Sequence, residues 1–300
     1  MKRIIACLLF AVLLCGCGGQ GATEKGKLSV VATAFPVYDF VRAVGGDRID
    51  VKLLIKPGSE VHSFEPAPSD IAAISGCDLF AFIGGESESW AETLTADNRI
   101  NSLALIDEVQ IETKGTHHHS HSHQHSHDEH IWTSPLMATQ MINAICERLC
   151  EIDSEYASKY RANAAEYIEK IDSAAKEIKA VTDAKPQKLI VVADRFPFEY
   201  FAEYFGIEHI AALDGCAAPS DISLRTMAEL TDAVESGGIE AVFCTELSNR
   251  VIANALSEQT GVRILELHSA HNVTRDDFLG GITYVDIMKR NAKALKEGMR

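Results

Sequence analysis

The chain has 300 residues, is 46% apolar, and carries a formal charge of −15 from 28 basic and 43 acidic residues. That apolar content suffices for two domains, each with its own core. A surface this acidic argues against nucleic acid and anionic lipid as partners and concentrates cations.

Met1 to Gly19 reads MKRIIACLLFAVLLCGCGG, with Lys2 and Arg3 ahead of an apolar run from Ile4 to Leu14. The run is shorter than the roughly 20 residues needed to span a bilayer, and its layout is that of an export signal. Leu14-Cys15-Gly16-Cys17 resembles a bacterial lipobox, so residues 1–17 are expected to be a signal that leaves a lipidated Cys17. Residues 18–27 then form a flexible tether. The working protein is expected outside the cytoplasm, held to the cell membrane by lipid. Of the remaining cysteines, Cys77, Cys146, Cys150, Cys216 and Cys244 cannot all pair within one chain. Buried thiols are expected, with one disulfide left open and its partners undeducible.

From Leu28 the pattern alternates strand with helix. LSVVATA is a β-branched strand, Val37 to Val44 a helix closed by Gly45-Gly46, and Ile49 to Ile55 a second strand. A helix opens at Pro68 and runs to about Ser75, followed by strands over Asp78 to Ile83 and Leu103 to Ile106 and a helix from Pro135 to about Cys150. Strands alternating with helices imply parallel pairing, so residues 28–153 read as an N-terminal α/β domain. Ser154 to Thr182 contains neither Pro nor Gly, and Tyr156, Tyr160, Ala164, Tyr167, Ile168, Ile171, Ala175, Ile178 and Val181 recur at helical spacing. This stripe predicts one amphipathic connecting helix over 154–183, roughly 43 Å long at about 1.5 Å per residue. The alternation restarts over 184–300, with strands at Lys188–Ala193, Ile207–Leu213, Ala241–Cys244 and Arg263–Leu267. Helices are expected at Pro197–Phe205, Ser223–Glu235, Ser248–Thr260 and from near Ile282. The fold class is α/β, two parallel-sheet domains joined by one long rigid helix, with a site in the cleft between them.

Within the first domain lies HHHSHSHQHSHDEHIWTSP, starting at His117; its first fourteen residues hold eight of the twelve histidines in the chain. Neutral imidazole is the commonest protein ligand for Zn²⁺ and its neighbours, so His117, His118, His119, His121, His123, His125 and His127 form an auxiliary metal-collecting loop over 116–130. An expression tag would not be internal, interrupted and mixed with acids. His130 stands apart, where the tract re-enters the folded body beside Ile131, Trp132 and the Ser134-Pro135 helix start. His62 follows a predicted strand in KPGSEVHSFEPAPSD, and His268 follows the strand ILEL. Ligands of open α/β sheets gather at the carboxyl ends of strands, which makes His62, His130 and His268 candidate metal ligands. Three imidazoles with a carboxylate or water would satisfy tetrahedral Zn²⁺.

These residues carry a resemblance. PGSEVHSFEPAPSDI and HIWTSP resemble the first and second ligand segments of the metal-binding lipoproteins and periplasmic proteins that deliver Zn²⁺ or Mn²⁺ to ABC-type importers, the ZnuA/AdcA-like family. The stretch 154–182 is similar to that family's connecting helix, and TYVDIMKRNAKALKEG to its C-terminal helix. The resemblance implies a third ligand just before Phe198-Glu199-Tyr200-Phe201. Counting back reaches Arg195, which cannot bind a metal, and a one-residue shift reaches Asp194. It also places His268 at the fourth position. The expected set is therefore His62, His130, His268 and Asp194, with Glu246 and His271 as substitutes.

The function implied is high-affinity Zn²⁺ capture for an ABC-type membrane permease by a monomer that is not an enzyme. A manganese-binding member of the same family is the alternative, disfavoured because Mn²⁺ prefers carboxylate oxygen. An adhesin or zinc buffer would differ only in partner. A His-ligated zinc hydrolase or lyase with Glu246 as base is the rival from another class; HExxH and a nucleophile elbow are absent from the sequence.

Overall fold

The computed structural model describes residues 26–96, 99–111, 128–213 and 222–299. The export signal with Cys17, nearly all of the tether, the histidine tract through His127, and Cys216 lie outside the described residues.

Each half is a four-stranded parallel sheet. The first comprises β1 (Leu28–Ala32), β2 (Ile49–Leu53), β3 (Leu79–Phe82) and β4 (Ser102–Ala104), in the order β2-β1-β3-β4. The second comprises β5 (Leu189–Arg195), β6 (Glu208–Leu213), β7 (Ala241–Cys244) and β8 (Arg263–Glu266), in the equivalent order β6-β5-β7-β8. Register starts at Leu28 opposite Ile49 in one sheet and Leu189 opposite Glu208 in the other. Central strands are apolar throughout, as LFAF in β3 and AVFC in β7, because helices cover both of their faces. In each sheet the order reverses beside the first strand, which opens a crevice at the carboxyl ends where loops can converge.

The helices are α1 (Phe35–Gly45), α2 (Pro68–Ser75), α3 (Ser89–Thr95), α4 (Pro135–Ile152), α5 (Ala157–Asp183), α6 (Glu199–Phe205), α7 (Leu224–Gly237), α8 (Val251–Thr260), α9 (Arg275–Leu279) and α10 (Tyr284–Gly298). Helix α5 is the expected strut. It is preceded by a 3₁₀ turn at Ser154–Tyr156, and its 27 residues bury Tyr160, Ala164, Tyr167, Ile171, Ala175 and Ile178 of the predicted stripe. Its apolar face packs against α4 on one side and α10 on the other. One continuous apolar core thereby runs from Val30 and Phe40 of the first half, through Trp132 and Tyr167, to Phe198, Tyr284 and Leu295 of the second. Two smaller clusters lie on the outer faces of the sheets. Among the described residues no helix is long and apolar enough to cross a membrane.

Several predicted boundaries move. The expected helix from Ser248 begins at Val251, because Leu247 and Arg250 take positive φ angles of 59° and 58° and break the preceding turn. Helix α6 begins at Glu199 rather than Pro197. Helices α3 and α9, of 7 and 5 residues, were not expected; segments this short carry too little periodicity to register. The described cysteines Cys77, Cys146, Cys150 and Cys244 are free thiols.

A buried carboxylate ties the halves together. Asp39 of α1 accepts hydrogen bonds from Tyr167 Oη on the strut and, at 2.8 Å, from the Tyr284 N–H that opens α10. Arg42 completes the group, donating to Asp39 Oδ1 at 2.5 Å and to the Ile282 carbonyl at 2.9 Å. Burial raises the Asp39 pKa despite this opposition from Tyr167, Arg42 and Tyr284. Removing one partner of such a group strands the others away from water, so Asp39→Ala is expected to lower the unfolding free energy by about 3–5 kcal/mol. Urea denaturation checks this, and a loss below about 1 kcal/mol would mean that the cluster does not join the halves.

Candidate metal centre in the interdomain cleft

The cleft is built from loops that leave the carboxyl ends of both sheets. The loop after β2 carries His62 and crosses to the second half, where Gly58 N–H donates to the Val273 carbonyl at 2.8 Å. The Asn272 side-chain amide in turn donates to the carbonyls of Lys56 (3.0 Å) and Ser59 (2.7 Å). His130 precedes the 3₁₀ turn Ile131–Thr133 that leads into α4. There the indole N–H of Trp132 donates to the Ser269 carbonyl at 2.7 Å, and Tyr284 Oη donates to the Trp132 carbonyl at 2.6 Å.

Ligating nitrogens of His62, His130 and His271 all lie within 4.8 Å of one another. Their ring centroids form a near-regular triangle of 5.8, 4.9 and 5.2 Å. Trp132 closes one side, with its ring 4.7 Å from His271 and 5.2 Å from His130. His62 and His271 line a cleft of about 360 Å³ together with Glu60, Asp194, Arg195, Thr245 and Glu246.

Of the four expected residues, His62 and His130 stand together, while His268 and Asp194 lie outside the group. His268 does not join the triangle; His271, the substitute, stands where His268 was expected. Asn291 holds the His268 backbone at both N–H and carbonyl, each at 2.8 Å. Nδ1 of the His268 ring accepts the Ala270 N–H at 2.9 Å, and the ring faces Phe198, Phe201 and Tyr284. Ala270 then takes a φ of 63°, a left-handed turn that swings His271 into the cleft. Glu246 makes this turn possible. Its carboxylate accepts from Ser269 N–H (2.7 Å), Ser269 Oγ (2.5 Å) and His271 N–H (3.1 Å), so both oxygens are spent on positioning the loop.

Asp194 sits on the cleft wall, outside the group of imidazoles. One oxygen accepts from Thr245 N–H (3.2 Å) and Thr245 Oγ1 (2.7 Å), and the other from the Arg195 N–H (2.8 Å). These bonds join the carboxyl ends of β5 and β7 at the point where the strand order reverses. Arg195 itself reaches across the cleft to Glu60 of the other half at 3.5 Å.

Two acidic residues just before His130 have roles the sequence reading did not assign. Asp128 Oδ1 lies 2.5 Å from His130 Nδ1 and also accepts the His130 backbone N–H, while Glu129 Oε1 lies 3.3 Å from His62 Nδ1. A carboxylate at one ring nitrogen fixes the ring and makes the other nitrogen the free, more basic donor. Burial works against the charge on Glu129, but hydrogen bonds from His62 and Ser87 and the nearby His130 bring its pKa down to about 2. Gly85 allows this contact: at φ 91°, a Cβ there would lie 2.9 Å from the Glu129 side chain. His271 is pushed well below the ordinary imidazole value, by burial first and then by His130 and His62, which keeps it neutral and its lone pair available.

Fold and site together define a two-lobed, helix-braced solute-binding protein. Residues 30–298 match the model of the family described as zinc-uptake complex component A, periplasmic, and the chain belongs to that family. It is 31% identical to the zinc-binding lipoprotein AdcA of Streptococcus pneumoniae over 99% of its own length, which corresponds to 61% of that relative. The high-affinity zinc uptake system protein ZnuA of Bacillus subtilis is 28% identical over 99% of this chain and 96% of its own. Among solved structures, the Zn(II)-bound ZnuA-like domain of S. pneumoniae AdcA superposes with a TM-score of 0.76 at 29% identity, covering 91% of this chain and 99% of that one.

Behind the site, Glu88 is sealed in the first half, where one oxygen accepts from Ile83 N–H (2.7 Å) and Gly84 N–H (2.9 Å). Its other oxygen and the Thr33 hydroxyl are buried without a hydrogen bond among the described residues, an arrangement suited to a carboxyl that keeps its proton. Burial pushes the Glu88 pKa from 4.5 up to about 7. A raised native pKa gives stability that is full below the unfolded value and lost as pH rises through the folded one. Glu88→Gln should match wild type near pH 4.5 and exceed it above pH 7 by on the order of 3 kcal/mol. Chemical denaturation at both pH values is the check, and a pH-independent difference would contradict the assignment.

Proposed function

We propose that this protein captures Zn²⁺ in the interdomain cleft through His62, His130 and His271, and presents it to the membrane permease of an ABC-type importer. The observation that carries the proposal is the triangle of imidazoles, drawn from both halves, with nitrogens within 4.8 Å of one another. Imidazole ligation favours Zn²⁺ over Mn²⁺. The fourth position falls to water or to a carboxylate of the cleft, Asp194 being the one expected from sequence and Glu129 the one whose oxygen already stands 3.3 Å from His62. The family membership and the zinc-binding relatives support the same reading.

The ion is cargo rather than a catalyst. Glu246, the carboxylate a hydrolase would need as general base, has both oxygens committed to Ser269 and His271. Bracing by α5 and the shared core favours small loop adjustments over a wide hinge closure. In this proposal Cys17 carries the lipid that keeps a monomer at the cell membrane, and the tract His117 to His127 gathers zinc near the cleft.

Calorimetric titration of the metal-stripped protein tests the site. Wild type and a variant lacking residues 116–129 should each retain a tight one-to-one Zn²⁺ site. His62→Ala and His271→Ala should weaken it by more than the about 100-fold that loss of an outer hydrogen-bond partner costs, and His268→Ala, which removes only the bond to the Ala270 N–H, should weaken it by less than that. Tight binding that survives His271→Ala and disappears with the tract would refute the cleft assignment. Growth of a deletion strain at limiting zinc, rescued by wild type and not by His271→Ala, tests the role in import.

A further inference from the structure

A second group of metal-binding side chains lies on α4, at Cys146, Glu147 and Cys150. Cys146 is eleven residues from the start of α4 at Pro135, which places it roughly 16 Å along the helix. The thiols are one helical turn apart and face the beginning of α5, where Cys150 Sγ donates to the Ala157 carbonyl at 3.6 Å. Cys146 and Cys150 are 3% and 6% exposed, whereas the Glu147 side chain is 62% exposed and gives the pair a side open to solvent. Arg161 of α5 holds Glu147 through Nε at 3.3 Å and Nη2 at 3.1 Å. Burial and the neighbouring Cys150 push the free Cys146 thiol up to about 12, against the smaller opposing effect of Arg161, so an ion must displace its proton.

The two sulfurs and a Glu147 oxygen all lie within 4.8 Å of one another. At the zinc–thiolate distance of about 2.3 Å, two sulfurs on one ion are separated by at most about 4.6 Å, when the sulfur–metal–sulfur angle is straight, and a metal with shorter bonds draws them somewhat closer. A displacement of the sulfurs by a few tenths of an ångström therefore suffices for two-coordinate binding. Tetrahedral Zn²⁺ would need four ligands, and this group offers three. Two soft sulfur donors instead suit a soft monovalent ion of low coordination number.

We propose that Cys146 and Cys150 form a thiolate site for Cu(I), with Glu147 and Arg161 at its mouth. Binding replaces two S–H bonds by two S–Cu bonds, and both protons pass to solvent. Copper and sulfur keep their oxidation states. The resulting bis-thiolate unit carries one negative charge and lies beside the Arg161–Glu147 ion pair. This site is independent of the zinc cleft and does not rest on the proposed import function.

The test uses zinc-loaded, reduced protein under anaerobic conditions, competing for Cu(I) with a coloured chelator such as bicinchoninate. Wild type, the 116–129 deletion and Cys77→Ala should each withdraw one equivalent of Cu(I) and develop ultraviolet thiolate-to-copper absorption. Cys146→Ala and Cys150→Ala should lose both signals, with the competition constant falling by more than about 100-fold. Equal competition by wild type and the two α4 variants, or loss of copper with the tract deletion, would overturn the proposal. Should an alanine variant fail to fold, alkylation of wild type in mild denaturant decides. Cu(I) should protect Cys146 and Cys150 and leave Cys77 reactive, and unchanged labelling at Cys146 and Cys150 would leave them as core-filling thiols.

Discussion

Three imidazoles share one ion only if the loops that carry them hold position to within a fraction of an ångström, and here those loops spring from two separate sheets. A 27-residue helix rather than a flexible linker makes the connection, which meets the demand that the proposed site would impose. Helix α5 is buried against α4 and α10 along one face, so the halves share a core instead of meeting across a wet interface. Asp39 adds a directional lock, since it touches α1, the strut and the first turn of α10 at once. Low-dielectric surroundings make each of these bonds expensive to leave unmade, which favours one relative placement of the halves.

Within that frame, carboxylates do the aiming. Asp128 and Glu129 each approach the Nδ1 of a different histidine, and Glu246 holds the backbone of a third. In the proposed site none of these acids has to touch the ion to matter. They fix which nitrogen is free and where it points, and they lower the entropy that would be lost on capturing an ion from water. The same acidity at the scale of the whole chain, −15 in formal charge, raises the local concentration of cations at the cleft mouth.

The strut was legible because Tyr160, Tyr167, Ile171 and Ile178 repeat at helical spacing, and both sheets were legible from apolar runs such as AVFC between turn residues. His62 and His130 could be singled out because each stands where a loop leaves the body of the first domain. His271 could not be preferred to His268 on the same grounds. The choice is made by the left-handed turn at Ala270, whose φ of 63° depends on Glu246, more than twenty residues away in sequence. Long-range bonds of this kind leave no periodic trace. Glu129 was hidden for the opposite reason: beside eight histidines, an acid reads as solvation of the tract, and only the folded loop brings it to His62. The thiols of α4 fall one turn apart in a helix expected from Pro135 to about Cys150, but the packing of Cys150 against Ala157 required the fold.

The central claim is that the cleft imidazoles of His62, His130 and His271 bind the ion together. X-ray absorption at the zinc edge, on protein lacking residues 116–129 and loaded with one equivalent, measures this most directly. The account predicts outer-shell scattering from three imidazoles and a light-atom first shell containing no sulfur. Fewer than three imidazoles, or a sulfur ligand, would contradict it.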